Sequence, residues 1–285
     1  MTADSLSAII GQDRAVAILR SHLATRRIPP TFLFSGPDGV GRALTARAFA
    51  LALSCEKGTG CAPGSSGSCA SCRANSTGEG IRDVDIALLR ADETEDNKSA
   101  ALRRILASHT RTHLLPWLVV IMEHADSMTD SMHSVMLKTA EEPPAGVCYV
   151  MLTTSLGNFS PALRSRAAIV RFGPLSEDAL RSILPPETSA SPLLHCANGS
   201  VSTATLLASQ YSSEEDLLDK VFFRVELRKR KRVDVLRELS WAVPAAARLR
   251  PAWKEALLEL DRHARANALL PLAFEVFRNR VGARR

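Results

Sequence analysis

The stretch Phe32-Leu-Phe-Ser-Gly-Pro-Asp-Gly-Val-Gly-Arg-Ala-Leu-Thr-Ala-Arg-Ala-Phe49 runs an apolar strand into a glycine-rich turn that opens a helix. That order is the architecture of a phosphate-binding loop, in which glycines let backbone N–H groups converge on phosphate oxygens at a helix N-terminus. A working loop reads Gly-x-x-x-x-Gly-Lys-Ser/Thr, where the lysine reaches the β- and γ-phosphates and the hydroxyl holds magnesium. Here Gly36 and Gly41 keep the spacing, with Gly39 between them, but the lysine position carries Arg42 and the hydroxyl position carries Ala43. Arg42 retains the charge as a wide planar fork instead of a point charge, and Ala43 has no oxygen for a metal. Thr45 does not replace it, because two residues further along a helix it points to nearly the opposite face. The glycine spacing alone reads equally well as a turn between a buried strand and a helix, so the rest of the chain has to decide.

A chain of 285 residues fits two or three domains. With 46% hydrophobic and 23% charged residues it has the composition of an ordinary soluble protein. No apolar run approaches the ~18 residues of a membrane span, and Met1-Thr-Ala-Asp-Ser-Leu-Ser7 has neither the basic flank nor the apolar block of a signal peptide. The expectation is a cytoplasmic protein without membrane contact. There, clustered cysteines point to a metal before a disulfide. The formal net charge of +6 is uneven: residues 1–211 hold 19 basic and 19 acidic side chains, so the excess lies in 212–285. Much of it is the run Arg228-Lys-Arg-Lys-Arg232. Such a run reads as a solvated helix face or as a contact with nucleic acid or an acidic partner.

Along the chain, Ile9 to Ala24 has helical periodicity through Ile10, Val16, Ile18, Leu19 and Leu23. Pro29 and Pro30 end it. The strand Phe32 to Ser35 and a helix from about Gly41 to Leu53 then form the first βα unit of a parallel sheet. Asp85 to Leu89 suggests a strand and Asn97 to Thr110 a helix. Trp117-Leu-Val-Val-Ile-Met122 is a continuous apolar run, as expected of a central parallel strand buried on both faces. It ends in Glu123-His-Ala-Asp126, and carboxylates at the carboxyl end of a central strand stand beside whatever the phosphate loop holds. Further strands are expected at Tyr149 to Thr154 and Ile169 to Phe172. After Pro174 the strands stop, and 176–210 and then Glu214 onward read as helical, with Trp241, Trp253, Leu257, Leu258 and Phe274 as core.

Cys55, Cys61, Cys69 and Cys72 interrupt the first unit in a Gly/Ser-rich segment. The two-residue gap of Cys69-Ala-Ser-Cys72 is that of a zinc knuckle, and two more thiolates nearby complete a tetrahedral four-cysteine set. The looser spacing of Cys55 and Cys61 also fits a flexible insertion with reduced thiols. Cys148 and Cys196 lie outside the cluster and read as core residues.

Gly11-Gln12 before an amphipathic helix, the stretch Phe32 to Gly41, Ala50-Leu-Ala-Leu-Ser-Cys55, Leu137-Lys-Thr-Ala-Glu-Glu-Pro-Pro144 and Leu163-Arg-Ser-Arg166 together resemble the AAA+ clamp-loader family of bacterial DNA polymerase III. The resemblance covers residues 8–172 well, 173–210 moderately, and the remainder only in being helical. It implies an α/β P-loop (AAA+) domain with a parallel sheet over 1–173, carrying a zinc insertion at 55–72. A small helical lid over 174–211 and an all-α collar over 212–285 follow. It also implies partners: other clamp-loader subunits in a hetero-pentameric ring, the sliding clamp, and primed DNA through the complex. In the family a Ser-Arg-Cys motif supplies an arginine finger to the ATP of a neighbouring subunit, and its counterpart is Ser165-Arg166-Ala167, with Arg166 at the finger position. A guanidinium there neutralises charge growing on a transferring phosphoryl group. Local pairing or solvation of Arg164 and Arg166 is the competing reading.

The departures from the family decide the expected role. The acidic strand end Asp-Glu-Ala-Asp reads Glu123-His124-Ala125-Asp126, which replaces the water-activating glutamate by His124. The lid motif Gly-Ser-x-Arg reads Gly199-Ser-Val-Ser202 and loses the arginine that senses a γ-phosphate. With Arg42 and Ala43, four catalytic positions differ, so ATP or ADP binding at Gly36, Gly39, Gly41 and Arg42 is doubtful while the trans-acting Arg166 remains. In the family's zinc pattern Ser66 stands where a cysteine is expected, and Cys61 is its candidate replacement. The expectation is an accessory subunit that does not hydrolyse ATP at its own site. The alternatives are an active P-loop ATPase relying on Arg42 and Glu123, and a zinc-containing DNA-binding module using 224–232.

Overall fold

A computed structural model of the chain describes residues 4–55, Cys61, Cys69, Cys72, 86–90, 117–223, 232–265, 273–274 and 276–278. The helix expected over 97–110, residues 228–231 and Ser66 lie outside the described residues. The chain divides into two compact units, Met1–Pro174 and Leu175–Arg285.

The first unit is built on five parallel strands, β1 (Thr31–Ser35), β2 (Ile86–Arg90), β3 (Leu118–Glu123), β4 (Val147–Thr153) and β5 (Ala168–Arg171), in the order β2-β3-β4-β1-β5. Its described residues form the helices α1 (Asp13–Thr25), α2 (Arg42–Ser54), α3 (Asp130–Glu141) and α4 (Pro161–Arg166). Successive strand residues face opposite sides of a sheet, and the apolar runs use both sides. Phe32, Phe34, Val119, Ile121, Cys148, Val150 and Leu152 pack with Val16, Leu19, Ala46 and Phe49 of α1 and α2. Leu33, Val120, Met122, Tyr149 and Met151 pack with Met132, Met136 and Ala140 of α3 and Leu163 of α4. Full burial of each large apolar side chain stabilises the unit by roughly 1.5–3 kcal/mol relative to exposure. In register, Ser35 lies beside Thr153 and Arg171, so the carboxyl ends of β1, β4 and β5 share one edge.

The expected strands are present with ends displaced by one or two residues. The helix expected from Ile9 starts later, at Asp13. Ser5–Ala8 forms a 3-10 turn, Gly11 takes φ 73°, and Gln12 occupies the cap position. Ile10 therefore stays off the helix and 44% exposed. Thr129 and Ser160 cap α3 and α4 by accepting from the N–H groups of Met132 and Leu163.

The second unit has no described strand. It contains α5 (Glu177–Ile183), α6 (Pro186–Ser189), α7 (Val201–Gln210), α8 (Glu214–Leu218), α9 (Arg232–Leu249) and α10 (Lys254–Arg265). One apolar cluster runs through it from Leu175 through Leu207, Phe222, Leu239, Trp241 and Leu257 to Phe274 and Phe277. Pro244 lies inside α9 and supplies no N–H, which leaves the carbonyl four residues earlier without its helical donor. Asn198 fills that role, its Nδ2 donating to Ser240 O at 3.2 Å. Leu258, expected in the core, is 51% exposed. No helix among the described residues is long and apolar enough to cross a membrane.

Candidate functional site

The phosphate loop follows β1 at the carboxyl edge and opens α2. Its glycines are required by geometry. A Cβ on Gly36 would stand 2.4 Å from Phe172 O, and Gly39 and Gly41 take φ of 73° and 97°. The loop is braced from behind by buried Gln12. Its Nε2 donates to Val40 O at 3.1 Å and Gly173 O at 2.8 Å, and its Oε1 accepts from Gly173 N at 3.3 Å.

The side chains that would act on a phosphate are committed locally. Arg42 is buried, its side chain 10% exposed, and its Nη2 forms an ion pair with Asp38 of the same loop. Ala43 offers no oxygen, and the Thr45 hydroxyl donates back to Gly41 O at 2.9 Å. At the end of β3, Glu123 lies 3.4 Å from Arg47 Nη2. His124 takes φ 52° and turns the chain into a 3-10 turn, Ala125–Ser127.

Asp126 is bound to the end of β4. Its Oδ1 accepts from the Thr153 hydroxyl, from Asn158 Nδ2 at 2.9 Å and from Ser155 N at 3.4 Å. Its Oδ2 accepts from Thr154 N at 2.8 Å and the Thr154 hydroxyl at 3.2 Å. Burial opposes ionisation, but the hydrogen bonds from Thr153, Thr154, Asn158 and Ser155 outweigh it and hold the carboxyl below its ordinary range.

Arg166 sits on the last turn of α4 with its side chain 42% exposed. Its Nη1 donates to Ala162 O at 3.0 Å, and its Nη2 lies 3.4 Å from Glu141 Oε1 at the end of α3. In the second unit, Ser202 Oγ lies 3.1 Å from Ser200 Oγ at the start of α7.

The four cysteines converge. Their sulfur atoms lie within 4.8 Å of one another, and Cys55 Sγ is 3.8 Å from both Cys61 Sγ and Cys69 Sγ. Four thiolates at ~2.3 Å from a zinc ion define a tetrahedron with edges of about 3.8 Å, so the donor set can hold such an ion. Backbone N–H groups already point at the sulfurs, from Cys61 to Cys72 Sγ at 3.3 Å, from Cys69 to Cys61 Sγ at 3.4 Å and from Cys72 to Cys69 Sγ at 3.4 Å. Burial raises the Cys72 thiol, with Cys69 and Cys55 adding to it against the N–H of Cys61. A divalent cation would supply the charge that lets such a buried set ionise. Cys61 is the fourth member of the cluster and pairs by an antiparallel bridge with Asp4, whose carboxylate meets Arg20 Nε of α1 at 2.8 Å. Cys148 and Cys196 are fully buried, and burial raises both thiols, that of Cys196 to about 12. They are packing residues.

The counter-ion Asp38 escaped the reading of the sequence, which named Gln12 and Asp126 within motifs but not the bonds by which one braces the loop and the other joins two turns. Asp38 carried a signal, an acid four residues before Arg42. Gln12 and Asp126 act on backbone and hydroxyl groups that only the folded sheet brings near.

The sequence model of the family described as "DNA polymerase III, delta subunit" matches residues 11–176. The DNA polymerase III subunit gamma/tau of Mycobacterium tuberculosis (strain ATCC 25618 / H37Rv) is 30% identical over 187 residues, which is 63% of this chain and 30% of that protein. The DNA polymerase III subunit tau of Escherichia coli (strain K12) is 27% identical over 173 residues, 61% of this chain and 26% of the relative. The chain thus spans under a third of the length of these relatives. Among solved structures, the Thermotoga maritima RuvB Holliday junction branch migration motor covers 99% of this chain and 91% of its own at a TM-score of 0.51 and 15% identity, a likeness of fold. The parallel sheet flanked by helices is thus AAA+-like, with additional helical regions after it. With the family match spanning more than half of its length, the chain belongs to the DNA polymerase III, delta subunit family.

Proposed function

We propose that the chain is a delta-prime-type accessory subunit of the DNA polymerase III holoenzyme's clamp loader, acting in the cytoplasm. In this reading it joins other clamp-loader subunits in a hetero-pentameric ring that loads the sliding clamp onto primed DNA. It does not hydrolyse ATP at its own loop, and it donates Arg166 in trans to the ATP of a neighbouring subunit. Residues 1–173 serve as the AAA+ domain, 174–211 as the lid and 212–285 as the collar.

The observation that carries this reading is the state of Arg42. Its guanidinium is buried and neutralised by Asp38, and the next residue, Ala43, has no oxygen for magnesium. Neither the γ-phosphate nor its metal finds the partner that phosphoryl transfer needs. Arg166, by contrast, stands half-exposed with one long ion pair. The experiment is steady-state ATP hydrolysis by the isolated chain, with no turnover above background as the expected result. A rate in the ordinary ATPase range would overturn the accessory reading and restore that of an active P-loop enzyme.

Cys55, Cys61, Cys69 and Cys72 would hold Zn2+ as a closed structural site, since four thiolates leave no open position for chemistry. Protein purified without chelators should carry about one zinc per chain by elemental analysis. A content well below one sinks this part of the proposal.

A further inference from the structure

Asp126 stands where two turns of the first unit meet. Both of its oxygens are occupied, Oδ1 by Thr153, Ser155 and Asn158 and Oδ2 by the N–H and hydroxyl of Thr154. A carboxylate has roughly four lone-pair sites, so serving a metal would mean giving up bonds it already makes. What it does is tie the turn after β3 to the turn after β4.

A helix springs from each turn. On one side the chain passes from Asp126 through buried Met128 to the cap Thr129 and α3. On the other it passes from Asn158 through buried Phe159 to the cap Ser160 and α4. At 1.5 Å per residue α3 rises about 18 Å and α4 about 9 Å. Phe159 and Leu163 share one apolar cluster with Met132, Met136 and Ala140 of α3, so the two helices are packed as a pair. Their last residues are Glu141 and Arg166, whose side chains meet at 3.4 Å. A single carboxylate therefore sits at the common root of the two helices that carry and flank Arg166.

The geometry points to Asp126 as a positioning residue for Arg166: by clamping the roots of α3 and α4 it fixes where the guanidinium stands. The inference rests on the trans role proposed for Arg166. A displacement of about 1 Å at a reacting group costs up to roughly a hundredfold in rate, so loosening the root registers in turnover even though Asp126 touches no substrate.

The test is a double-mutant cycle in the reconstituted clamp loader, measuring DNA- and clamp-stimulated ATP hydrolysis with Asp126→Asn, Arg166→Ala and both together. Asp126→Asn is expected to lower turnover about ten- to hundredfold with KM for ATP unchanged. In the Arg166→Ala background it should add less than about twofold, because residues acting through one another are non-additive. Losses that multiply would show that Asp126 acts by another route. A full rate for Asp126→Asn beside a loss for Arg166→Ala would overturn this inference and leave the finger reading intact. A full rate for Arg166→Ala would remove both. Should Asp126→Asn fail to assemble, Asn158→Ala deletes one bond of the hub and should cost about threefold, again only when Arg166 is present. A full rate in that variant overturns the inference.

Discussion

Arg42 and Arg166 are the same side chain in two settings of one domain. Arg42 is 10% exposed and faces a carboxylate on its own loop; Arg166 is 42% exposed and shares a long ion pair with a half-exposed glutamate. A buried guanidinium with a built-in counter-ion has its charge compensated before any ligand arrives. An exposed pair is worth only roughly 0–1 kcal/mol, so its arginine leaves at little cost. The difference teaches that a positive charge beside a glycine loop does not by itself make a phosphate site, and that availability is decided by burial and partners.

The largest expected effect on stability concerns the frame around Arg42. Gly36→Ala would press a methyl against the Phe172 backbone, and should destabilise the first unit by roughly 2–3 kcal/mol in urea unfolding. An unchanged midpoint would mean that the loop yields, and its rigidity could no longer explain why Arg42 stays turned to Asp38. Gln12→Ala comes next. It strips one hydrogen bond from the buried Val40 carbonyl and two from the exposed Gly173 backbone behind the loop, and should cost about 1–2 kcal/mol. A loss below about 0.5 kcal/mol would show water taking over those groups.

Glu141→Ala probes the other arginine. Stability should change by no more than about 0.5 kcal/mol, and the loader carrying it should keep its ATPase rate. A collapse in rate would make Glu141 a required partner and Arg166 less free than its exposure suggests. The smallest effect is in pH. Asp126 is held below its ordinary carboxyl value, so its stabilisation is present above the unfolded pKa and fades as pH falls through the folded one. The stability gap between wild type and Asp126→Asn should be flat from about pH 7 to 5 and close below about pH 4. A gap that widens on acidification would contradict the hub geometry.

The sheet and the loop were legible because their signals are local. An apolar run, glycines at fixed spacing and a following helix lie within twenty residues. The four cysteines were legible by their spacing. What could not be seen joins distant residues. Gln12 meets Gly173 across 161 positions, and Asp126 meets Asn158 across 32, through short polar groups that are common everywhere. Two apolar residues misled for simple reasons. Ile10 extends the periodicity of α1 but precedes the positive φ of Gly11, which stops the helix. Leu258 lies about 100° around α10 from Leu257, outside the stripe that Leu257 and Leu260 bury.

The most direct test sets the two arginines against each other in the reconstituted clamp loader, comparing Arg42→Ala with Arg166→Ala in DNA- and clamp-stimulated ATP hydrolysis. Arg42→Ala should turn over like wild type, whereas Arg166→Ala should slow the site it faces about a thousandfold or more, the range of an arginine finger. Normal assembly with a full rate for Arg166→Ala, or a loss confined to Arg42→Ala, would contradict the division of roles between them.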